Sequence, residues 1–486
     1  MKFENNKSVQ TTFWAFAEKI GYTGVQFVIS VILARLLSPD DYGLVALLLV
    51  FITLGQVFVD SGFGNGLIRK EKCSNDDYST AFFFNLLVSL LIYSILYIAA
   101  PFISEFYNLP ILVPVIRVYG VCLIINSLTI VQNSVLTRSL NFKAMAMYRI
   151  VSGTLSGIIA IILAYFDFGV WSLVSQTLLM SFIYLLLANY ETRWVPSFIF
   201  NKDSFRYLWG FGSKMLLSGL ISSLYSNMYS LVIGKVYSKG DLGYFNRGHS
   251  LGTLLPGLLQ TSFGKSTFPL LAQSQNDMEK LKELYRSYTR VVALISFPIV
   301  IIIALLAHPL ILFLLSEKWN GAVFYMQVFS ISSVLLPVGI INMNLLMALG
   351  RSDMMLKADI IKKTIGISVI LLLASYGVKI LALGSMGMDI FIYVVNLYFV
   401  KKVMNFSYFS QIKDMGPYLI ASVVMGLGVY LFVSIIPVLL CKLVLGFVIG
   451  ITIYILILKL VLKDQYVSKL FACVLDIKNS ITTRDK

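Results

Sequence analysis

Fourteen predominantly apolar runs follow one another along this chain, and nearly all reach the roughly 20 residues a helix needs to cross the hydrocarbon of a bilayer. They cover residues 13–37, 42–68, 80–104, 112–136, 145–166, 170–190, 205–234, 242–271, 291–315, 322–349, 358–376, 380–400, 417–436 and 439–462. A soluble chain of 486 residues would need about a quarter of them charged to wet its surface. Only 13% are charged here, against 58% hydrophobic, and the mean hydropathy is +0.83. The chain therefore reads as an all-α polytopic membrane protein. Met1 to Gln10 is polar and the first apolar run is too long for a signal-peptide core, so the first span is expected to be retained.

Several kinds of chemistry drop out at once. Two His and four scattered Cys (Cys73, Cys122, Cys441 and Cys473) assemble neither a zinc site nor a disulfide framework. Gly264-Lys265-Ser266 ends like a phosphate-binding loop, but Leu259 stands where that motif needs its first glycine, and no nucleotide domain surrounds it. No cofactor, metal or catalytic residue is expected. The net charge of +15 reports basic loops rather than nucleic-acid binding. With both termini placed in the cytoplasm, the inner segments hold most of the Lys and Arg, among them Lys401, Lys402 and Lys413, and Arg351, Lys357, Lys362 and Lys363. The longest gap, 272–290, reads as a solvated cytoplasmic linker.

An internal repeat organises the spans. Phe13-Trp14-Ala15-Phe16-Ala17-Glu18-Lys19 matches Leu208-Trp209-Gly210-Phe211-Gly212-Ser213-Lys214, and Ala34 to Gly43 (ARLLSPDDYG) matches Gly234 to Gly243 (GKVYSKGDLG). Span one thus pairs with span seven. Six spans separate the copies, an even number, so the halves share one orientation, as in parallel-repeat transporters with a central site and alternating access. The expected layout is a six-helix lobe at 13–190, a second at 205–400, two further helices at 415–462 packed outside them, and a cytoplasmic tail at 463–486.

Three stretches, Ala34 to Gly43, Asp60-Ser-Gly-Phe-Gly-Asn-Gly-Leu-Ile68 and Leu242-Gly-Tyr-Phe-Asn-Arg247, resemble the polysaccharide transporters of the multidrug/oligosaccharidyl-lipid/polysaccharide exporter superfamily, in particular the colanic and teichuronic acid exporter branch. The resemblance covers Phe13 to about Leu462. It implies a flippase in the bacterial cytoplasmic membrane that moves undecaprenyl-pyrophosphate-linked oligosaccharide from the inner to the outer leaflet for surface polysaccharide synthesis. Membrane lipids, and a polysaccharide polymerase and glycosyltransferases, are the expected partners.

A charge near the bilayer centre costs about 2.5–3.5 kcal/mol on insertion scales, so intramembrane charges need a partner, a wet cavity or a route to the interface. Span one carries Glu18, Lys19, Tyr22, Gln26 and Ser30; Glu18, Tyr22, Gln26 and Ser30 are four apart and form one polar stripe. Span seven offers Lys214, Ser218, Ser222, Tyr225 and Tyr229, and span two offers Thr53, Gln56 and Asp60. Cavity lining competes with simple helix–helix hydrogen bonding at the small residues. Glu18, Lys19, Asp60 and Lys214 are expected to line a central cavity, with Lys19 and Lys214 flanking the pyrophosphate. Arg117 either snorkels or faces the cavity. Arg247 lies on a broken, polar span eight and is expected to face it, whereas His249 reads as a partner to a polar neighbour. Arg138 and Arg351 read as solvated loop charges, with ordering of inner loops or contact with lipid phosphate as the functional alternatives. Trp14, Trp209, Tyr22, Tyr225 and Tyr229 are interfacial anchors or sugar-stacking platforms. Two alternatives stay open: a cation-coupled multidrug exporter of the same superfamily, using Glu18 or Asp60, and a membrane glycan polymerase or ligase, which the short outer loops disfavour.

Overall fold

The computed structural model describes the backbone of residues 6–462 and the side chains of residues 21–462. The side chains of Trp14, Glu18 and Lys19, and the tail at 463–486, lie outside what is described. Every described element is helical. The chain divides into two compact units, Met1–Gly243 and Tyr244–Lys486.

In the first unit, α1 (Asn6–Leu36) packs on α7 (Phe142–Tyr165), where Gly153 and Gly157 admit Gln26 and Ile29. Small residues let membrane helices approach this closely. Then come α2 (Pro39–Asp60), α3 (Phe63–Arg69), α4 (Asn75–Tyr107), α5 (Leu112–Tyr119), α6 (Val121–Arg138), α8 (Val170–Thr192) and α9 (Lys202–Val236). The Ser-x-x-Asp repeat proves to be a pair of capping boxes. Ser38 Oγ accepts from Asp41 N at 3.2 Å while Asp41 Oδ2 accepts from Ser38 N at 3.0 Å, and Ser238 and Asp241 repeat this at 3.1 and 3.3 Å.

The glycine-rich stretch after Asp60 is a helix break. Ser61 and Gly62 both take left-handed backbone, with φ of 42° and 69°, dividing the second predicted span into α2 and α3. There the chain meets α9 so closely that a Cβ on Gly62 would lie 3.0 Å from the Gly212 Cα, and one on Gly212 would collide with the Ser61 carbonyl. Arg138 closes the other end of α3, its guanidinium donating to the carbonyls of Leu67 (2.8 Å), Ile68, Lys70 and Glu71. Arg138 therefore orders the loop after α3 rather than standing as the solvated loop charge expected. Burial pushes the thiol of neighbouring Cys73 up from its ordinary pKa.

The second unit holds most of α10 (Lys239–Gln273), then α11 (Met278–Leu305), α12 (Ala307–Leu315), α13 (Val323–Ser332), α14 (Leu336–Ala348), α15 (Ser352–Leu373), α16 (Val378–Met404), α17 (Tyr408–Ile435) and α18 (Leu439–Leu456). Its core joins α11 to α17 and α18 through Tyr285, Phe297, Tyr418, Met425 and Tyr454. Residues 278–290 are the first turns of α11, not the solvated linker expected, because Leu281, Tyr285 and Thr289 recur every four residues and are all buried. One buried network ties α17 in: Tyr393 Oη donates to Gln411 Oε1 (2.7 Å), Gln411 Nε2 donates to Tyr285 Oη (2.7 Å), and Tyr285 Oη donates to Asn342 Oδ1 (2.7 Å).

Helices occupy all fourteen predicted positions, yet only eleven described segments are long and apolar enough to cross a membrane. The apolar part of α1 is described only from Gly21 to Leu36, α10 carries Asp241, Arg247 and Lys265, and α15 carries Asp353, Lys357, Asp359, Lys362 and Lys363. A polytopic helical membrane protein is established; fourteen crossings are not.

Candidate functional site

Inside the first unit, α2, α6, α7 and α8 enclose a polar cavity of about 270 Å³, lined by Gln56, Asp60, Asn126, Asn133, Arg149 and Tyr184 with Thr129, Ile130, Met180 and Ser181. The break at Ser61–Gly62 leaves Asp60 as the last residue of α2, an exposed carboxylate on the cavity wall. Two side-chain pairs set the lining. Asn126 Nδ2 donates to Gln56 Oε1 at 3.0 Å, and Tyr184 Oη donates to Asn133 Oδ1 at 2.5 Å. The Arg149 guanidinium lies 6.0 Å from the centre of the Tyr184 ring. Behind this wall, Gln132 Nε2 donates to Asn189 Oδ1 at 2.6 Å, holding α6 to α8.

The second unit has a cavity of about 200 Å³ of its own, lined by Gln260, Ser332, Lys362, Asp389, Tyr393 and Asn396 among apolar neighbours. Lys362, 8% exposed, donates to Asn396 Oδ1 at 3.0 Å and pairs with Asp359 at 2.9 Å. It is a buried, paired charge within α15 rather than the loop charge it was grouped with. Each cavity combines a base (Arg149 on α7, Lys362 on α15), a tyrosine (Tyr184 on α8, Tyr393 on α16) and an acid (Asp60, Asp389). A shared sequence signal marks α8 and α16. Phe168-Gly169-Val170 and Tyr376-Gly377-Val378 both open them with a positive-φ glycine, at 54° and 107°.

Of the residues singled out from sequence, Asp60 lines the first cavity, and Tyr22 reaches its wall through Met180 Sδ at 3.6 Å. Gln26 accepts a 3.5 Å bond from Gln176 and packs against Gly153. Lys214 is exposed on α9 and forms no ion pair among the described residues; Tyr225 and Tyr229 are half-buried on the same helix. Arg117 sits apart from the cavity, its guanidinium 4.2 Å from the centre of the Tyr97 ring. Arg247 is buried, 7% exposed, on α10 in the second unit. His249 meets the edge of Phe329, and Trp209 stacks on Phe205. Arg351 forks onto Asp353 at 3.1 Å. Glu18 and Lys19 lie outside the described side chains. Arg149, Asn126, Asn133 and Tyr184 were missed. Arg149 falls four residues inside the fifth predicted span, so its position carried the signal.

The fold is that of a polytopic helical membrane protein with a polar cavity in each unit, and comparison with known proteins gives its family. Residues 32–324 match the family described as polysaccharide biosynthesis protein, and the chain belongs to it. It is 26% identical over 343 residues to the teichuronic acid biosynthesis protein TuaB of Bacillus subtilis, covering 70% of this chain and 71% of TuaB. It is 23% identical over 369 residues to the lipopolysaccharide biosynthesis protein WzxC of Escherichia coli, covering 75% of each. Among solved structures it shares the fold of the lipid II flippase MurJ in an inward closed conformation, with a TM-score of 0.76 at 16% identity, covering 96% of this chain and 99% of MurJ.

Proposed function

We propose that this protein is a flippase that carries a polyprenyl-pyrophosphate-linked oligosaccharide from the inner to the outer leaflet of the bacterial cytoplasmic membrane, with both termini cytoplasmic. The observation that carries the reading is the family match over residues 32–324. TuaB and WzxC are both named for polysaccharide biosynthesis, and MurJ, whose fold this chain shares, is named as a lipid II flippase.

The physical task is to bring hydroxyl groups through a medium where each unpaired one costs several kcal/mol. A cavity of amide, phenol, carboxylate and guanidinium groups within an apolar bundle supplies the missing hydrogen bonds, while the polyprenyl chain stays in lipid. The two repeats supply the alternating-access machinery. Lys214, and with it Lys19, pairs with the pyrophosphate; glycosyltransferases act before this step and a polymerase after it.

Deletion in the native host is expected to abolish surface polysaccharide and accumulate its lipid-linked precursor. Arg149→Gln and Lys214→Gln should each restore export less than wild type at equal membrane abundance. Full complementation by both variants would remove these residues from the path. Undiminished polysaccharide after deletion, together with gained sensitivity to cationic drugs, would support the multidrug-exporter alternative instead.

A further inference from the structure

The cavity of the first unit differs from a phosphate site in its charge. Among the described residues its lining holds one carboxylate, Asp60, and one guanidinium, Arg149, whose formal charges cancel. A pyrophosphate carries several negative charges and is held by clusters of Arg and Lys. The cavity's remaining polar lining is amide, phenol and the hydroxyls of Thr129 and Ser181. The bonds within the Gln56–Asn126 and Tyr184–Asn133 pairs use up one acceptor and one donor in each. They leave the Gln56 amide nitrogen, the Asn126 carbonyl oxygen and the Asn133 amide nitrogen without hydrogen-bond partners among the described residues. These three groups are not among the buried orphans, so they open onto the cavity. They amount to two donors and one acceptor, orientated by their partners, beside a carboxylate that accepts and a guanidinium that donates. Vicinal hydroxyls, each donor and acceptor at once, satisfy such a set.

Size narrows the ligand further. About 270 Å³ falls just below the range of about 300–1,000 Å³ of drug-sized sites, which is room for one pyranose ring.

We infer that this cavity is a recognition pocket for a single uncharged sugar residue of the cargo, bound apart from the pyrophosphate and setting which oligosaccharide is accepted. The inference rests on the flippase reading and deepens it. It is tested on the full-length protein in nanodiscs by saturation-transfer NMR with the methyl hexopyranosides of glucose, galactose, mannose and N-acetylglucosamine, against methyl glucuronide and inorganic pyrophosphate. At least one neutral hexoside should bind better than the glucuronide, and pyrophosphate should not displace it. Asn126→Leu, and the milder Tyr184→Phe and Asn133→Ala, should each weaken it roughly tenfold, the effect of losing one hydrogen bond at the upper end of the usual range. The inference is overturned if no hexoside binds the wild type, if glucuronide or pyrophosphate takes the site in preference, or if folded variants bind as the wild type does. Wild-type protein that flips lipid-linked oligosaccharide but binds no hexoside would sink this inference and spare the flippase; binding without flipping would do the reverse.

Discussion

Gly43→Ala is expected to destabilise the purified protein severely, while Gly210→Ala leaves its unfolding temperature unchanged or raises it. The two repeat-equivalent helix starts meet backbone to backbone. A Cβ on Gly43 would be driven into the carbonyl oxygen of Lys239, and one on Gly243 into that of Pro39. Overpacking a side chain costs about 1–3 kcal/mol when neighbours can yield. Here the neighbour is backbone fixed by a capping box on each helix, so the cost should reach the top of that range or pass it. Gly210 has nothing within 4 Å of its would-be Cβ, and alanine suits a helix interior better than glycine by up to about 1 kcal/mol. Thermal unfolding of both variants in detergent checks this. Equal midpoints would mean that the helix starts do not touch as described.

Asp414→Asn should be as costly in the second unit, and more so than either arginine change. The Asp414 side chain is 2% exposed and receives Arg286 through Nε at 2.7 Å and Nη2 at 2.8 Å, and Arg290 through Nε at 3.0 Å and its Nη2. Removing one member of a buried ion pair costs about 3–5 kcal/mol because the other charge is stranded. Asparagine would remove the charge that both guanidiniums share, though they are 41% and 33% exposed and partly solvated, which places the loss near 3 kcal/mol. Arg286→Gln or Arg290→Gln leaves Asp414 one cation and should cost less than half as much. A scan in which either glutamine variant melts below Asp414→Asn would refute this ordering.

The sequence exposed the architecture through period and repetition. Apolar runs located every helix, and the Ser38 and Ser238 boxes were visible as a repeat before their hydrogen bonds were known. The glycines of the 60–68 stretch were legible as a family signature, but their reason, a left-handed break pressed against Gly212, depends on a helix some 150 residues away. The polar sites were read less well. Charges deep in spans one, two and seven stand out, whereas Arg149, eighth residue of α7, and Lys362, eleventh of α15, follow basic inner-loop segments and group with them despite lying inside their spans. Asn126, Asn133 and Tyr184 carry no charge to flag them, and only packing brings them together. The start of α11 was lost to its charge density, since Arg286 and Arg290 look solvated until Asp414, more than 120 residues on, is placed beside them.

The most direct measurement is transport itself. Purified protein is reconstituted into liposomes with undecaprenyl-pyrophosphate-linked oligosaccharide from the native host, and a membrane-impermeant glycosidase or lectin reports the fraction reaching the far leaflet. The account predicts rapid translocation that requires the protein, is impaired in Arg149→Gln and does not occur with undecaprenyl pyrophosphate bearing no sugar. Lipid-linked oligosaccharide that stays in its original leaflet in the presence of folded wild-type protein, under an imposed ion gradient and membrane potential, would contradict it.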